Sequence, residues 1–259
     1  MARNALWSTA ELNWTACRIG ADDGPLPAVY LASGTGVADE LAEIRQALEP
    51  SLQSEQLRSF LLIGVSMPDW HRSYSPWAAP ALSAKGEPFA GCGAETLGLI
   101  EAQLIPEVVR RYGAGGEPES RALIGYSLAG LFALWALYAG AGFGHYASCS
   151  GSLWFDGWDA FTAEHIPRPH SRVYLSLGRR EERARNHRMS AVGEATRRTA
   201  ARLAGDPGLT ESLLEWHDGG HFTQIPQRVA RGIAWLMRAE SREQSQPQRG
   251  VPTAKSPGR

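Results

Sequence analysis

The sequence predicts an α/β fold, a mostly parallel central sheet with helices on both faces. Three observations lead there. From residue 28 to residue 239, short apolar and β-branched runs alternate with stretches of helical period, the signature of repeated βα units. One helix-forming stretch, 128–138, is apolar almost throughout, as a helix buried on most of its sides must be. The chain has 259 residues, a length that single α/β domains of about 250 residues commonly reach. One domain over residues 1–240 is therefore expected.

The elements follow in order. Residues 28–32 read as a buried strand, ending in the turn Ser33-Gly34-Thr35-Gly36. Helical periodicity covers 37–48, and Pro50 is expected to stop it. Residues 60–65 are a second strand that enters a long loop rich in Pro, Trp and Ser. Leu97, Ile100, Leu104 and Val108 fall at i, i+3, i+7 and i+11, one face of a helix over 94–112. A brief strand at 121–125 runs into the apolar helix. Further strands are expected at 146–149, 173–177 and 213–216, with helices at 189–203 and 226–239. The tail, 241–259, is polar, rich in Pro and Gly and without periodicity, so disorder is expected there.

Composition narrows the function. The formal charge is −1 and no basic stripe is interleaved with aromatics, which speaks against nucleic acid as a partner. Cys17, Cys92 and Cys149 are far apart and form no C-x-x-C. Neither a disulfide framework nor a zinc cluster is indicated, and a reducing compartment suits them. No run reaches the roughly 18 apolar residues of a membrane span, and the first residues lack the apolar core of a signal peptide. A soluble, cytoplasmic protein with no metal or cofactor is expected; G-x-x-x-x-G-K is absent, and His165 and His170 make no metal motif. The sequence does not set the oligomeric state.

Gly125-Tyr126-Ser127-Leu128-Ala129-Gly130 places one serine between a strand and a helix. A sharp turn there pushes the hydroxyl out at the carboxyl edge of the sheet, and small residues two before and two after allow the turn. The helix start aims free N–H groups at the same point, so the Leu128 amide can bind an oxyanion. Ser127 is thus the candidate nucleophile, although position 129 is Ala where G-x-S-x-G has Gly. The fold with this elbow is the α/β-hydrolase fold, whose chain order is nucleophile, acid, histidine. The histidine belongs in a loop after the last strand. His221 follows the flexible pair Gly219-Gly220 and is preferred to His217, which continues the strand. The remaining five histidines read as solvated or hydrogen-bonded. The acid belongs after strand 173–177, where Glu181 is the third residue past Gly178. Glu182 and a Ser–His dyad without a strict acid stay open. A second oxyanion amide, from Gly34 or Thr35, is expected in the turn after strand 28–32.

Several stretches together resemble the putative-esterase family of α/β-hydrolases, which includes enterobactin esterases and S-formylglutathione hydrolases. They are Tyr30 to Gly34, Arg72-Ser73-Tyr74-Ser75-Pro76, Gly91-Cys92-Gly93-Ala94-Glu95, the elbow, Ser150-Gly151-Ser152-Leu153-Trp154, the Gly178 to Met189 run and Gly219-Gly220-His221-Phe222. Where the family often carries Leu-Asp-Gly and Arg-Asp-Tyr-Thr-Pro, this chain has Ala32-Ser33-Gly34 and Arg72-Ser73-Tyr74-Ser75-Pro76, losing two carboxylates. The resemblance implies a serine hydrolase of a small-molecule carboxylic ester, closest to siderophore esterases. It also implies a pocket bordered by Arg72, which could steer an anion, and Trp154, which could stack on a ring. A thioesterase or acyltransferase using the same residues is the first alternative. A non-catalytic ligand-binding protein on the same scaffold is the second.

Overall fold

The computed structural model describes residues 7–8, 12–21, 24–54 and 56–239; the tail expected to be disordered lies outside them. Eight strands form the central sheet: β1 (Trp7–Ser8), β2 (Asn13–Ile19), β3 (Ala28–Ser33), β4 (Phe60–Ser66), β7 (Arg121–Tyr126), β8 (His145–Cys149), β9 (Arg172–Gly178) and β10 (Glu211–His217). Two short strands, β5 (Ala78–Ala79) and β6 (Phe89–Ala90), pair separately. The order across the sheet is β1-β2-β4-β3-β7-β8-β9-β10. β1–β2 and β2–β4 are antiparallel and every other pair is parallel. The helices are α1 (Val37–Gln53), α2 (Trp70–Ser73), α3 (Gly93–Leu99), α4 (Ile105–Tyr112), α5 (Leu128–Tyr138), α6 (Trp158–Glu164), α7 (His187–Ser190), α8 (Val192–Ala204) and α9 (Ile225–Leu236).

Strand side chains alternate between two apolar clusters, one on each face, as the two-residue period of a strand requires. In β4, Leu61, Ile63 and Val65 pack with α5, while Phe60 and Leu62 pack with α1 and α9. In β3, Tyr30 faces the first cluster and Val29 and Leu31 the second. Burial on both faces is why these strands read as continuous apolar runs rather than alternating ones. All eleven residues of α5 are buried.

Several boundaries differ from the sequence expectation. Pro50 lies inside α1 rather than ending it. It interrupts only the last turn, which closes through a bond from the Ser54 N–H to the Pro50 carbonyl at 3.2 Å. The single helix expected over 94–112 contains a π turn, Ile100–Leu104, ahead of α4. Pro106 at the start of α4 supplies the reason. Its missing N–H and its ring are incompatible with a regular turn onto residue 102, and a widened turn absorbs both. Strand β2 was not signalled, because its polar residues Asn13, Thr15 and Arg18 break the apolar run. The long loop after β4 holds α2 and the β5–β6 ribbon. Among the described residues, no helix is long and apolar enough to cross a membrane.

The sheet sets the place of the site. The helix after β3 packs on one face and the helix after β7, its parallel neighbour, on the other. Chain leaving the carboxyl ends of two such strands diverges and opens a crevice, where open α/β sheets bind ligands.

Candidate active site

β7 ends at Tyr126 and α5 begins at Leu128, so Ser127 alone makes the turn. Its backbone sits at φ 58°, ψ −122°, a conformation that non-glycine residues avoid and that surrounding structure must hold. Three bonds hold it. The Ser127 N–H donates to the Cys149 carbonyl (3.0 Å), and its own carbonyl accepts from the N–H groups of Leu131 (3.1 Å) and Ser152 (3.0 Å). Glycine is required two residues earlier: a Cβ on Gly125 would lie 2.2 Å from the Ala129 carbonyl oxygen. Ala129 itself is fully buried, with its methyl group packed in the core, so the departure from glycine at that position leaves the elbow intact.

The loop from β10 to α9 brings His221 over the elbow. Its Nε2 lies 3.0 Å from the Ser127 Oγ, and its Nδ1 lies 2.7 Å from Glu181 Oε2. The loop is fastened at its backbone: the Tyr126 hydroxyl donates to the His221 carbonyl, and Arg228 Nη2 donates to the carbonyls of Asp218 (3.2 Å) and Gly220 (3.0 Å). His217 ends β10, buried, 3.5 Å from the Tyr174 hydroxyl and 3.8 Å from Glu215. Burial pushes its pKa below the ordinary imidazole value.

Glu181 opens a short 3₁₀ turn just past β9. Its Oε1 accepts from the Ser150 hydroxyl (2.7 Å), the Gly178 N–H (2.8 Å) and Arg228 Nη1 (2.9 Å). Burial would push the carboxyl up, but the hydrogen bonds from His221 and Ser150, then the His221 charge and the Gly178 amide, outweigh it and hold Glu181 below the ordinary value. Gly178 leaves room for this cluster, since a Cβ there would lie 2.7 Å from Arg228 Nη2. Glu182 turns away to an ion pair with Arg197 at 2.8 Å.

Serine, imidazole and carboxylate thus form one hydrogen-bonded line at the floor of a cavity of about 350 Å³. Its walls include Trp70, Leu82, Phe89, Trp154, Met189 and Phe222. Leu128 lines it too, and as the first residue of α5 its N–H has no partner within the helix. Neither Gly34 nor Thr35 is among the lining residues. β3 runs beside β7, with Ala32 opposite Gly125, so the turn leaves the sheet next to the elbow. There a Cβ added to Gly34 would lie 3.6 Å from the Trp70 ring, which does line the cavity; Thr35 is exposed. Trp154 is in the wall, as the resemblance implies. Arg72 is not: its exposed guanidinium pairs with Glu95 at 3.1 Å in a separate groove. From the same short helix, Trp70 and His71 face the cavity instead.

Sequence reasoning missed Arg228, Ser150, Tyr126 and His71. Arg228 left a signal: Ile225, Arg228, Val229, Gly232, Ile233 and Leu236 are one helical stripe, and a cation inside an apolar stripe needs a buried partner. Ser150 adopts φ 47°, which no sequence pattern announces. Among the described residues, no group of three or more His, Cys, Asp or Glu could hold a metal ion.

Residues 18–225 match the family model described as Esterase, Putative esterase. Uncharacterized protein YbbA of Bacillus subtilis (strain 168) is 32% identical over 223 residues, 83% of this chain and 87% of that protein. Among solved structures, the siderophore hydrolase EstA from Aspergillus nidulans matches with a TM-score of 0.72 at 19% identity, covering 91% of this chain and 95% of that one. An IroE-like serine hydrolase from Shewanella oneidensis matches with a TM-score of 0.72 at 18% identity, covering 87% and 75%. The fold common to these structures is the α/β-hydrolase fold expected from the sequence.

Proposed function

The chain belongs to the putative-esterase family and is a carboxylic ester hydrolase, and from that premise we propose that it is a serine esterase working through an acyl-enzyme on Ser127. The observation that carries this reading is the unbroken line from the Ser127 Oγ through His221 to Glu181, at 3.0 and 2.7 Å.

His221 Nε2 takes the hydroxyl proton as Oγ attacks the ester carbonyl carbon, and the carbonyl π pair moves onto oxygen. The Leu128 amide, at the positive end of α5, stabilises that oxyanion, and the Gly34-Thr35 turn, which leaves the sheet beside the elbow, is the proposed source of a second amide. Glu181 accepts from Nδ1–H throughout, fixing the tautomer and favouring the imidazolium without itself becoming protonated. The imidazolium then protonates the departing alcohol as the C–O bond breaks, leaving the acyl group on Oγ. Water, deprotonated by His221, repeats the addition and releases the acid. A siderophore-type ester is the substrate class we propose, by likeness to the Aspergillus siderophore hydrolase, and the elbow and line of hydrogen bonds are common ground for any ester that reaches them.

Fluorophosphonate labelling with mass-spectrometric mapping tests the assignment. Wild type is expected to carry the adduct on Ser127, and Ser127→Ala and His221→Ala to carry none. Ester turnover undiminished in Ser127→Ala would refute it.

A further inference from the structure

The wall of the cavity above Ser127 is mostly apolar; beyond the triad its polar members are His71, Tyr126, Ser150 and Ser152. The Tyr126 hydroxyl is engaged with the His221 carbonyl and the Ser150 hydroxyl with Glu181. Among the described residues, no Lys or Arg lines it. Two arginines near its walls are already engaged. Arg188 lies 5.7 Å from the Trp154 ring centre, but its guanidinium pairs with Asp156 at 2.9 Å and donates to the carbonyls of Pro80 (3.2 Å) and Ala81 (3.0 Å). Arg72 is held by Glu95 outside the cavity. Arg183 and Arg185 flank Ala184, which lines the cavity, yet both are exposed and neither is part of the wall.

The mouth carries a second observation. Phe222, directly after His221, is 86% exposed and stands edge-on to the imidazole at 5.0 Å. A large aromatic left in water beside a reacting centre is covered when an apolar ligand lies across it.

We infer that the ester arm seated in this cavity is uncharged and apolar, an aryl or medium-chain alkyl group, and that an arm ending in an anion is excluded. This rests on the serine-esterase reading of the same site. A carboxylate entering such a wall would lose its hydration and meet no lysine or arginine, and the His71 imidazole, set edge-on to Phe89 at 5.1 Å, is the one ionisable base in the wall besides His221. Size sets the upper bound. An apolar cavity of about 150 Å³ holds one benzene, so about 350 Å³ holds a ring with a short chain, or an alkyl arm of about a dozen heavy atoms.

The test is kcat/KM on matched esters varied first on the acyl side, then on the alcohol side. Each series pairs neutral alkyl arms of increasing length with arms of equal length ending in a carboxylate. On the side that occupies the cavity, each added methylene is expected to raise kcat/KM about fourfold until the cavity is full. The terminal carboxylate is expected to lower it by about 100-fold or more. Met189→Lys, which places a cation in the wall, is expected to shrink that gap by about tenfold. Carboxylate-ended arms processed as fast as neutral ones in both series would overturn the inference. Fluorophosphonate labelling of the same preparations separates the two ideas. Ser127 labelled with no preference for neutral arms sinks this inference alone. A neutral-arm preference without labelling of Ser127 sinks the nucleophile assignment and, with it, the seating of the arm in this cavity.

Discussion

Arg228 and Glu181 form an ion pair sealed from solvent: Nη1 lies 2.9 Å from Oε1, and the two side chains are 2% and 3% exposed. The same guanidinium nitrogen reaches the hydroxyls of Ser150 (3.0 Å) and Tyr126 (3.2 Å), and Nη2 holds two carbonyls of the His221 loop. One residue of α9 therefore sets the positions of both the carboxylate and the loop carrying the base. Arg228→Met would leave the Glu181 charge buried without its cation, a loss of about 3–5 kcal/mol. Arg228→Lys keeps the charge but not the fork that serves five acceptors. It is expected to cost less stability while still lowering kcat with KM little changed. Urea unfolding and steady-state kinetics on both variants check this; Arg228→Met as stable as wild type would contradict it.

The three residues of the line are expected to act as a unit. Ser127→Ala and His221→Ala should each lower kcat by about 10⁶-fold, and the double variant little further. Glu181→Gln presents an amide to Nδ1 and disturbs the tautomer, for a loss of about 10⁴-fold. Single-variant losses that multiplied in the double variant would show that the residues act independently.

The elbow gives a pair of substitutions with opposite outcomes. Gly125→Ala puts a methyl group 2.2 Å from the Ala129 carbonyl oxygen, a backbone atom that cannot move without unwinding the start of α5. Loss of soluble, labelled enzyme is expected. Ala129→Gly restores the G-x-S-x-G pattern without a clash, and should cost about 1 kcal/mol of helix propensity and about 0.8 kcal/mol for the buried methyl group it removes, with activity retained. Thermal unfolding and fluorophosphonate labelling of both variants decide it.

What the sequence revealed follows from how local each signal is. Ser127 and His221 sit at the ends of strands whose neighbours fix their geometry within a few residues: a strand, a small-residue turn and an apolar helix in one case, a strand and Gly219-Gly220 in the other. Glu181 was legible as the preferred position after β9, with Glu182 left open as the alternative. What separates them is the fold, which gives one Ser150 and Arg228 and the other Arg197. Arg72 misled because its exposed pairing with Glu95 depends on a helix 23 residues away in sequence. The central strands were legible through burial on both faces, whereas β2, with Arg18 exposed and Asn13 and Ala16 only part-buried, was not. The π turn is a compromise around Pro106 that helical periodicity over 94–112 smooths away.

Glu181 also predicts how stability responds to acid. Its folded pKa lies below the ordinary value because its hydrogen bonds outweigh burial, whereas in the unfolded chain it titrates near 4.3. Between those two values the unfolded state binds the additional proton, so stability rises with pH there. The contribution is complete above roughly 4.3 and is lost as pH falls through the folded value. Glu181→Gln cannot titrate and leaves Arg228 unpaired at every pH, so it is expected to be less stable than wild type near neutrality. The gap should narrow as the wild-type carboxylate takes its proton. Urea midpoints measured from pH 6 to pH 3 for both proteins follow that gap. A difference that stayed constant across the range would mean that Glu181 titrates alike in the folded and unfolded chain, and that its bonds to His221 and Arg228 do not favour the carboxylate.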